Sequence, residues 1–183
     1  MWKLIEDEFK TINYRPSCDE MKKTLLFFSE ERREVREMFE KLSWNENEDT
    51  RRKAEDYLVQ NLLPCEYIYL VLPDRYFVIR EDGEEKYCKE GTGKARWESA
   101  ANVVIKLGWH RVEGILIPLF FWLLDCNWPG SETIWNFILS IPENVLCEKM
   151  KEILDNPQYY ESWDYKDLKE QISDLCKSLK IVL

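Results

Sequence analysis

The sequence predicts an all-α, or mostly α, fold: antiparallel helix pairs stacked as an α-helical solenoid, with a small β-hairpin inserted. Three observations lead there. Apolar residues recur with the helical period, as Val35, Met38, Phe39 and Leu42 do at i, i+3, i+4 and i+7. The stretch Trp122-Leu123-Leu124-Asp125-Cys126-Asn127-Trp128-Pro129-Gly130 follows an apolar run and reads as a helix that stops in a tight corner and enters another. Asp and Asn accept backbone hydrogen bonds at helix ends, Pro presets a first helical turn, and Gly tolerates the corner. Only the stretch around Asp82-Gly83, set between two strand-like segments, carries a hairpin signal.

Taken in order, Ile5, Phe9 and Ile12 share one helical face, and Met21, Leu25 and Phe28 make a second short helix. Ser29 is placed to cap a third, with Glu30 and Glu31 on the positive end of its dipole. Asn45 to Asp49 is a polar turn, after which Asp49 or Thr50 caps a fourth helix with Ala54, Tyr57, Leu58 and Leu62 inward, ended by Pro64. Residues 66–72 are β-branched and aromatic but bracketed by Pro64 and Pro73, so strand and short helix both remain open. Segments 76–80 and 85–89 form the hairpin, and residues 65–93 as a whole read as an insertion. A helix from Lys94 turns Trp97, Ala100, Ala101, Val104 and Ile105 to one face and stops at Gly108.

Trp109-His110-Arg111 is a connector in this reading. A helix over 111–124, apolar nearly all round, should be the most buried element, with Pro118 either kinking it or marking its true first turn. Phe120 or Phe121, whichever points inward, and Trp128 are expected in the core. Helix 131–141 follows with Ile134, Phe137, Ile138 and Ile141 inward. A helix opened by Pro142 carries Leu146, Met150, Ile153 and Leu154, and helix 164–180 carries Leu168, Ile172, Leu175 and Leu179. The helix pairs within 29–62 and 111–141 share one logic, in which each pair buries its faces by stacking on the next, although no fixed repeat period joins them.

In the C-terminal half, the corner residues Trp122, Leu123, Asp125, Asn127, Trp128, Pro129 and Gly130 spell W-L-x-D-x-N-W-P-G. Upstream, Trp97, Ala100, Ala101, Leu107, Gly108 and Arg111 fit a pattern of helix, glycine stop and short connector. This half, over residues 94–160, resembles an uncharacterised family of bacterial HEAT-like helical-repeat domains that carry that corner. His110 stands where the family pattern has proline, and the hairpin before Lys94 departs from it as well. The resemblance implies a HEAT-like solenoid. It implies no known activity and carries over no catalytic residue.

Composition bounds the function. The 183 residues suffice for a single domain, 1–183, and they are 45% hydrophobic and 14% aromatic, more aromatic bulk than an average core needs. The formal charge of −9 disfavours nucleic acid, whose binders gain most of their affinity by neutralising phosphate. Arg32, Arg33, Arg36 and Arg51, Arg52, Lys53 are interleaved or flanked by carboxylates and read as mixed-charge helix faces. Six scattered cysteines without a Cys-x-x-Cys pair, and an N-terminus that turns acidic before any apolar stretch, predict a reduced, cytoplasmic protein. The longest apolar run, 115–124, is about half of a membrane span, so no membrane is expected.

Chemistry is sparse. His110 is the lone histidine, and neighbours Trp109 and Arg111 give it no nucleophile or orienting carboxylate, so it reads as a connector residue. A structural zinc site is not expected, nor any cofactor. Asp125 and Asn127 read as caps rather than as an acid–amide pair, and Gly91-Thr92-Gly93-Lys94 lacks phosphate-loop spacing. What remains is a non-enzymatic protein-binding module, with an immunity or antitoxin-type protein masking a basic partner as its concrete form. The alternatives are a HEAT-like enzyme such as a DNA-lesion glycosylase, or a structural adaptor. The candidate partner surface is the acidic C-terminal stretch, where Tyr159, Tyr160 and Trp163 are anchors among Asp164, Asp167 and other carboxylates.

Overall fold

The computed structural model describes residues 29–71, 78–81, 84–87, 94–124, 127–155 and 162–181, with the backbone alone at 78–81, 84–87, 121 and 162–165. The helices expected within residues 5–28, and the candidate residues Asp125, Tyr159 and Tyr160, lie outside them. The described chain is mostly α-helical. Its helices are α1 (Arg33–Glu40), α2 (Glu48–Asn61), α3 (Trp97–Leu107), α4 (Trp109–Val112), α5 (Leu116–Leu119), α6 (Ser131–Leu139), α7 (Glu143–Asp155) and α8 (Ser162–Leu179). Strands β1 (Val78–Glu81) and β2 (Glu84–Tyr87) pair antiparallel, Val78 opposite Tyr87 and Glu81 opposite Glu84. Among the described residues, no helix is long and apolar enough to cross a membrane.

The helical stripes bury as their spacing predicts. Val35, Phe39 and Leu42 are inward, as are Ala54, Leu58 and Leu62, then Ile134, Phe137, Ile138 and Ile141, Leu146, Met150 and Ile153, and Leu168, Ile172 and Leu175. They join one hydrophobic core running from Val35 to Ile181. Within it α2 lies against α1 and α3, α3 against α6, α5 against α7, and α8 against the turns formed by Phe120–Leu124.

Several local expectations are corrected. Ser29 precedes a single 3-10 turn (Glu30–Arg32) without a side-chain capping bond. The cap of α2 is Asn47, not Asp49 or Thr50: its extended backbone lets Oδ1 accept from the Thr50 N–H at 2.9 Å, leaving Glu48 and Asp49 in the first turn. Residues Pro64–Leu70, open between strand and helix, form a 3-10 helix that buries Tyr67, Ile68, Tyr69 and Leu70. Ile105, expected inward, is 45% exposed, because the last turn of α3 carries it past the face that holds Trp97, Ala101 and Val104.

The expected connector 109–111 is helix α4, and the expected single helix over 111–124 is broken into short turns: 3-10 at Glu113–Ile115, α5, and 3-10 at Phe120–Leu124. Gly114 weakens a helix, and Pro118 offers no N–H to a continuous ladder. The segment is nonetheless deeply buried, with Val112, Leu116, Leu119, Phe120, Trp122 and Leu123 inside. Phe120 therefore points inward, and Phe120→Ala is expected to lower stability by about 3–5 kcal/mol, the usual loss for an aromatic cavity. Urea unfolding checks this; a midpoint equal to that of the unmodified chain would place the segment at the periphery.

Candidate functional site

α2 and α3 pack side by side, and the loop ahead of α2 closes over their junction. The Trp44 N–H donates to the Ala95 carbonyl at 3.0 Å. Arg51 fastens the same loop, its Nη1 donating to the carbonyls of Glu46 at 2.8 Å and Trp44 at 3.3 Å. Between loop and helices lies a cleft of about 310 Å³.

A carboxylate forms part of its lining. Helical spacing turns Glu55 inward beside Ala54 and Leu58, leaving it 7% exposed. An unpaired carboxylate is costly there, and α3 supplies the partners. Asn102 Nδ2 donates to Oε1 at 3.1 Å and Lys106 Nζ to Oε2 at 3.0 Å, while Lys106 also reaches Asp56 at 2.8 Å. Burial works against the Lys106 ammonium, but its hydrogen bonds to Asp56 and Glu55 outweigh it and hold its pKa above the ordinary lysine value.

Trp44, 46% exposed, is also part of the lining, as are the exposed carboxylates Glu48 and Glu98. Each cation of the lining is engaged within the chain: Arg51 on the loop carbonyls, Lys106 on Glu55 and Asp56, and Arg52 on Asp49 at 3.3 Å. Glu48 and Glu98 have no ion pair among the described residues. An aromatic side chain lining the same cleft as two such carboxylates suits a cationic group, through cation–π attraction and charge-assisted hydrogen bonds.

A second cluster forms at the corner. Trp97 stands 4.8 Å from Trp122, tilted by 31°, and 4.7 Å from Trp128, edge on at 88°. Lys94 Nζ lies 4.0 Å from the Trp128 ring and 5.3 Å from that of Trp97. Gly130 adopts φ +79°, and a Cβ there would fall 2.9 Å from both Ala101 Cβ and Trp122 Cζ3, so the corner requires glycine. Trp122, Trp128 and Gly130 thus meet as a packing unit, with Pro129 half-buried and Asn127 exposed. Trp128 is half-buried rather than buried, with its ring edge on to Trp97 and under Lys94. Asn127 is not the cap of α6. That position is Gly130, with no side-chain cap, while Ser131 Oγ donates back to the Trp128 carbonyl at 2.5 Å.

Of the C-terminal candidates, Trp163 and Asp164 fall in the first turn of α8, and Asp167 is exposed one turn further. From Lys166 to Leu179 the helix carries three lysines against three carboxylates, with Asp174 and Lys177 paired at 2.7 Å. The excess negative charge of this region lies in residues 152–164 instead. His110 is exposed and stacked on Trp109 at 3.5 Å. Among the described residues no group of three His, Cys, Asp or Glu side chains could hold a metal, and Cys65, Cys147 and Cys176 are not in disulfides.

The cleft residues Trp44, Glu55, Asn102 and Lys106 were not singled out by the sequence. The one signal was Glu55, a carboxylate interrupting an apolar stripe. Its partners lie 47 and 51 residues away, beyond what periodicity can pair. No protein-family model, curated protein or solved structure matches the chain.

Proposed function

We propose that the chain is a non-enzymatic protein-binding module whose partner is basic, of the immunity or antitoxin kind that masks a toxin domain in the cytoplasm. We infer for it a HEAT-like solenoid architecture with residues 65–93 as an insertion carrying the hairpin. The observation that carries the reading is the Trp44 cleft: an exposed indole beside Glu48 and Glu98, with every lining cation already engaged. A net charge of −9 adds long-range attraction for a basic partner and repels nucleic acid. Charge of this kind sets the encounter rate, and a few aromatic anchors set the lifetime of the complex.

Two surfaces compete for the partner, the cleft and the acidic stretch containing Asp164 and Asp167. Affinity capture from the producing cell is expected to return a stoichiometric basic protein at low salt and to lose it steeply as salt rises. Reversing Glu48 and Glu98 to Lys is expected to slow association, and Trp44→Ala to speed dissociation. Reversing Asp164 and Asp167 to Lys is expected to slow association more than it speeds dissociation. If all of these variants stay folded and bind with unchanged kinetics, neither surface holds the partner and the reading fails.

A further inference from the structure

Two sulfur atoms meet between α7 and α8, and a third lies one turn away on the same helix face. Cys147 and Met150, three residues apart, share one face of α7. From α8, Cys176 brings its Sγ to 3.9 Å from Met150 Sδ. Cys147 lies within electrostatic reach of Cys176: burial first, and then that neighbouring thiol, push the Cys176 pKa up. Met150 is fully buried, whereas both cysteines are half-buried against the core.

Filling a core gap needs only one of these sulfurs. The spacing suggests more. Metal–sulfur bonds of about 2.3 Å at a trigonal angle set two sulfur ligands about 4 Å apart, which matches the Cys176–Met150 separation. The donors are soft, two thiols and a thioether, and the chain's one histidine lies far along the sequence at position 110. Soft thiolate and thioether donors select Cu(I) over harder divalent ions, and a closed zinc site would call for four ligands.

We propose that Cys147, Met150 and Cys176 form a binding site for a soft monovalent cation, Cu(I). On binding, each thiol releases its proton to solvent, two thiolate–copper bonds and one thioether–copper bond form, and copper stays in the +1 state. The cation offsets the mutual repulsion of the two thiolates and ties α7 to α8. This site is independent of the partner surfaces proposed above.

The test is anaerobic titration of the reduced full chain with Cu(I) against bathocuproine disulfonate, a chromophoric chelator. One Cu(I) per chain is expected to leave the chelator and to raise the thermal unfolding midpoint, because a ligand of the folded state stabilises it. Cys147→Ser/Cys176→Ser is expected to abolish both effects. Met150→Leu, close in volume, is expected to weaken affinity at least by the roughly tenfold that even an outer-shell change costs. A chain with Cys18, Cys65, Cys88 and Cys126 replaced by Ser is expected to keep the site; should it fail to fold, the comparison of the unmodified chain with the two variants above decides. The proposal is overturned if the unmodified chain takes no Cu(I) from the chelator. It is equally overturned if the folded Cys147→Ser/Cys176→Ser variant competes as well as the unmodified chain.

Discussion

Glu66→Ala is expected to cost about 4–8 kcal/mol of folding stability, the sum of a broken buried ion pair, about 3–5, and an orphaned backbone donor, about 1–3. The Glu66 side chain is 1% exposed and that of Arg32 17%. Arg32 meets it bidentately, Nε to Oε1 at 2.7 Å and Nη2 to Oε2 at 2.5 Å. Oε2 also accepts from the Leu63 N–H at 2.8 Å, and Arg32 Nη2 donates to the Asn61 carbonyl at 2.7 Å. One carboxylate thus joins the turn before α1, the end of α2 and the 3-10 helix Pro64–Leu70. The hydrogen bond to Glu66 holds the Arg32 pKa above its ordinary value, and an arginine guanidinium stays charged near neutral pH even without that partner. Alanine leaves that charge half-buried and unpaired.

Glu66→Gln keeps an acceptor for Leu63 and is expected to cost about 1.5–3 kcal/mol, the worth of a hydrogen bond to a charged group. The double variant Arg32→Met/Glu66→Leu is expected to recover much of the loss, since apolar groups of similar volume replace buried ion pairs with little penalty. Urea unfolding of the single and double variants measures the coupling. Additive losses would mean that the pair contributes nothing as a pair.

The same pair shows where reading the sequence stops. Arg32 stands among glutamates in a stretch that reads as a solvated mixed-charge face, and Glu66 among residues whose secondary structure was open. Their separation of 34 positions hides the bond, as 51 positions hide that between Glu55 and Lys106. Helical stripes such as Leu146, Met150 and Ile153 were legible because one face of one helix decides their burial. The segment 109–124 was legible as buried but not as broken, since its hydrophobicity hides the helix-weakening effect of Gly114 and Pro118. Capping erred by two or three residues at α2 because Asn47, Asp49 and Thr50 are all competent caps, and the extended backbone at Asn47, φ −69° and ψ 157°, decides among them. In the cleft, Trp44 reads in sequence as one aromatic residue in a polar turn; its exposure and its place beside Glu48 and Glu98 exist only once α2 meets α3.

Trp122→Ala is expected to cost about 4–8 kcal/mol, because a large aromatic cavity of about 3–5 kcal/mol adds to an orphaned carbonyl of about 1–3. The side chain is fully buried, and its Nε1–H donates to the Val71 carbonyl at 2.7 Å across 51 positions. Its ring stacks on Trp97, and Cζ3 lies 2.9 Å from where a Cβ on Gly130 would fall. Deleting it therefore removes support from α3, from the corner entering α6 and from the end of the 3-10 helix at once. Domain stabilities are about 5–15 kcal/mol, so this variant is expected to be largely unfolded, with lost near-ultraviolet circular dichroism and poor expression. Trp122→Phe keeps part of the ring but not the donor, and is expected to stay folded with a loss of about 2–3 kcal/mol, most of it from the unpaired carbonyl. Urea midpoints for the Phe variant, and the folded fraction of the Ala variant, check the two halves of the account. A folded Trp122→Ala chain within about 2 kcal/mol of the unmodified one would show that the three elements hold together without their shared indole.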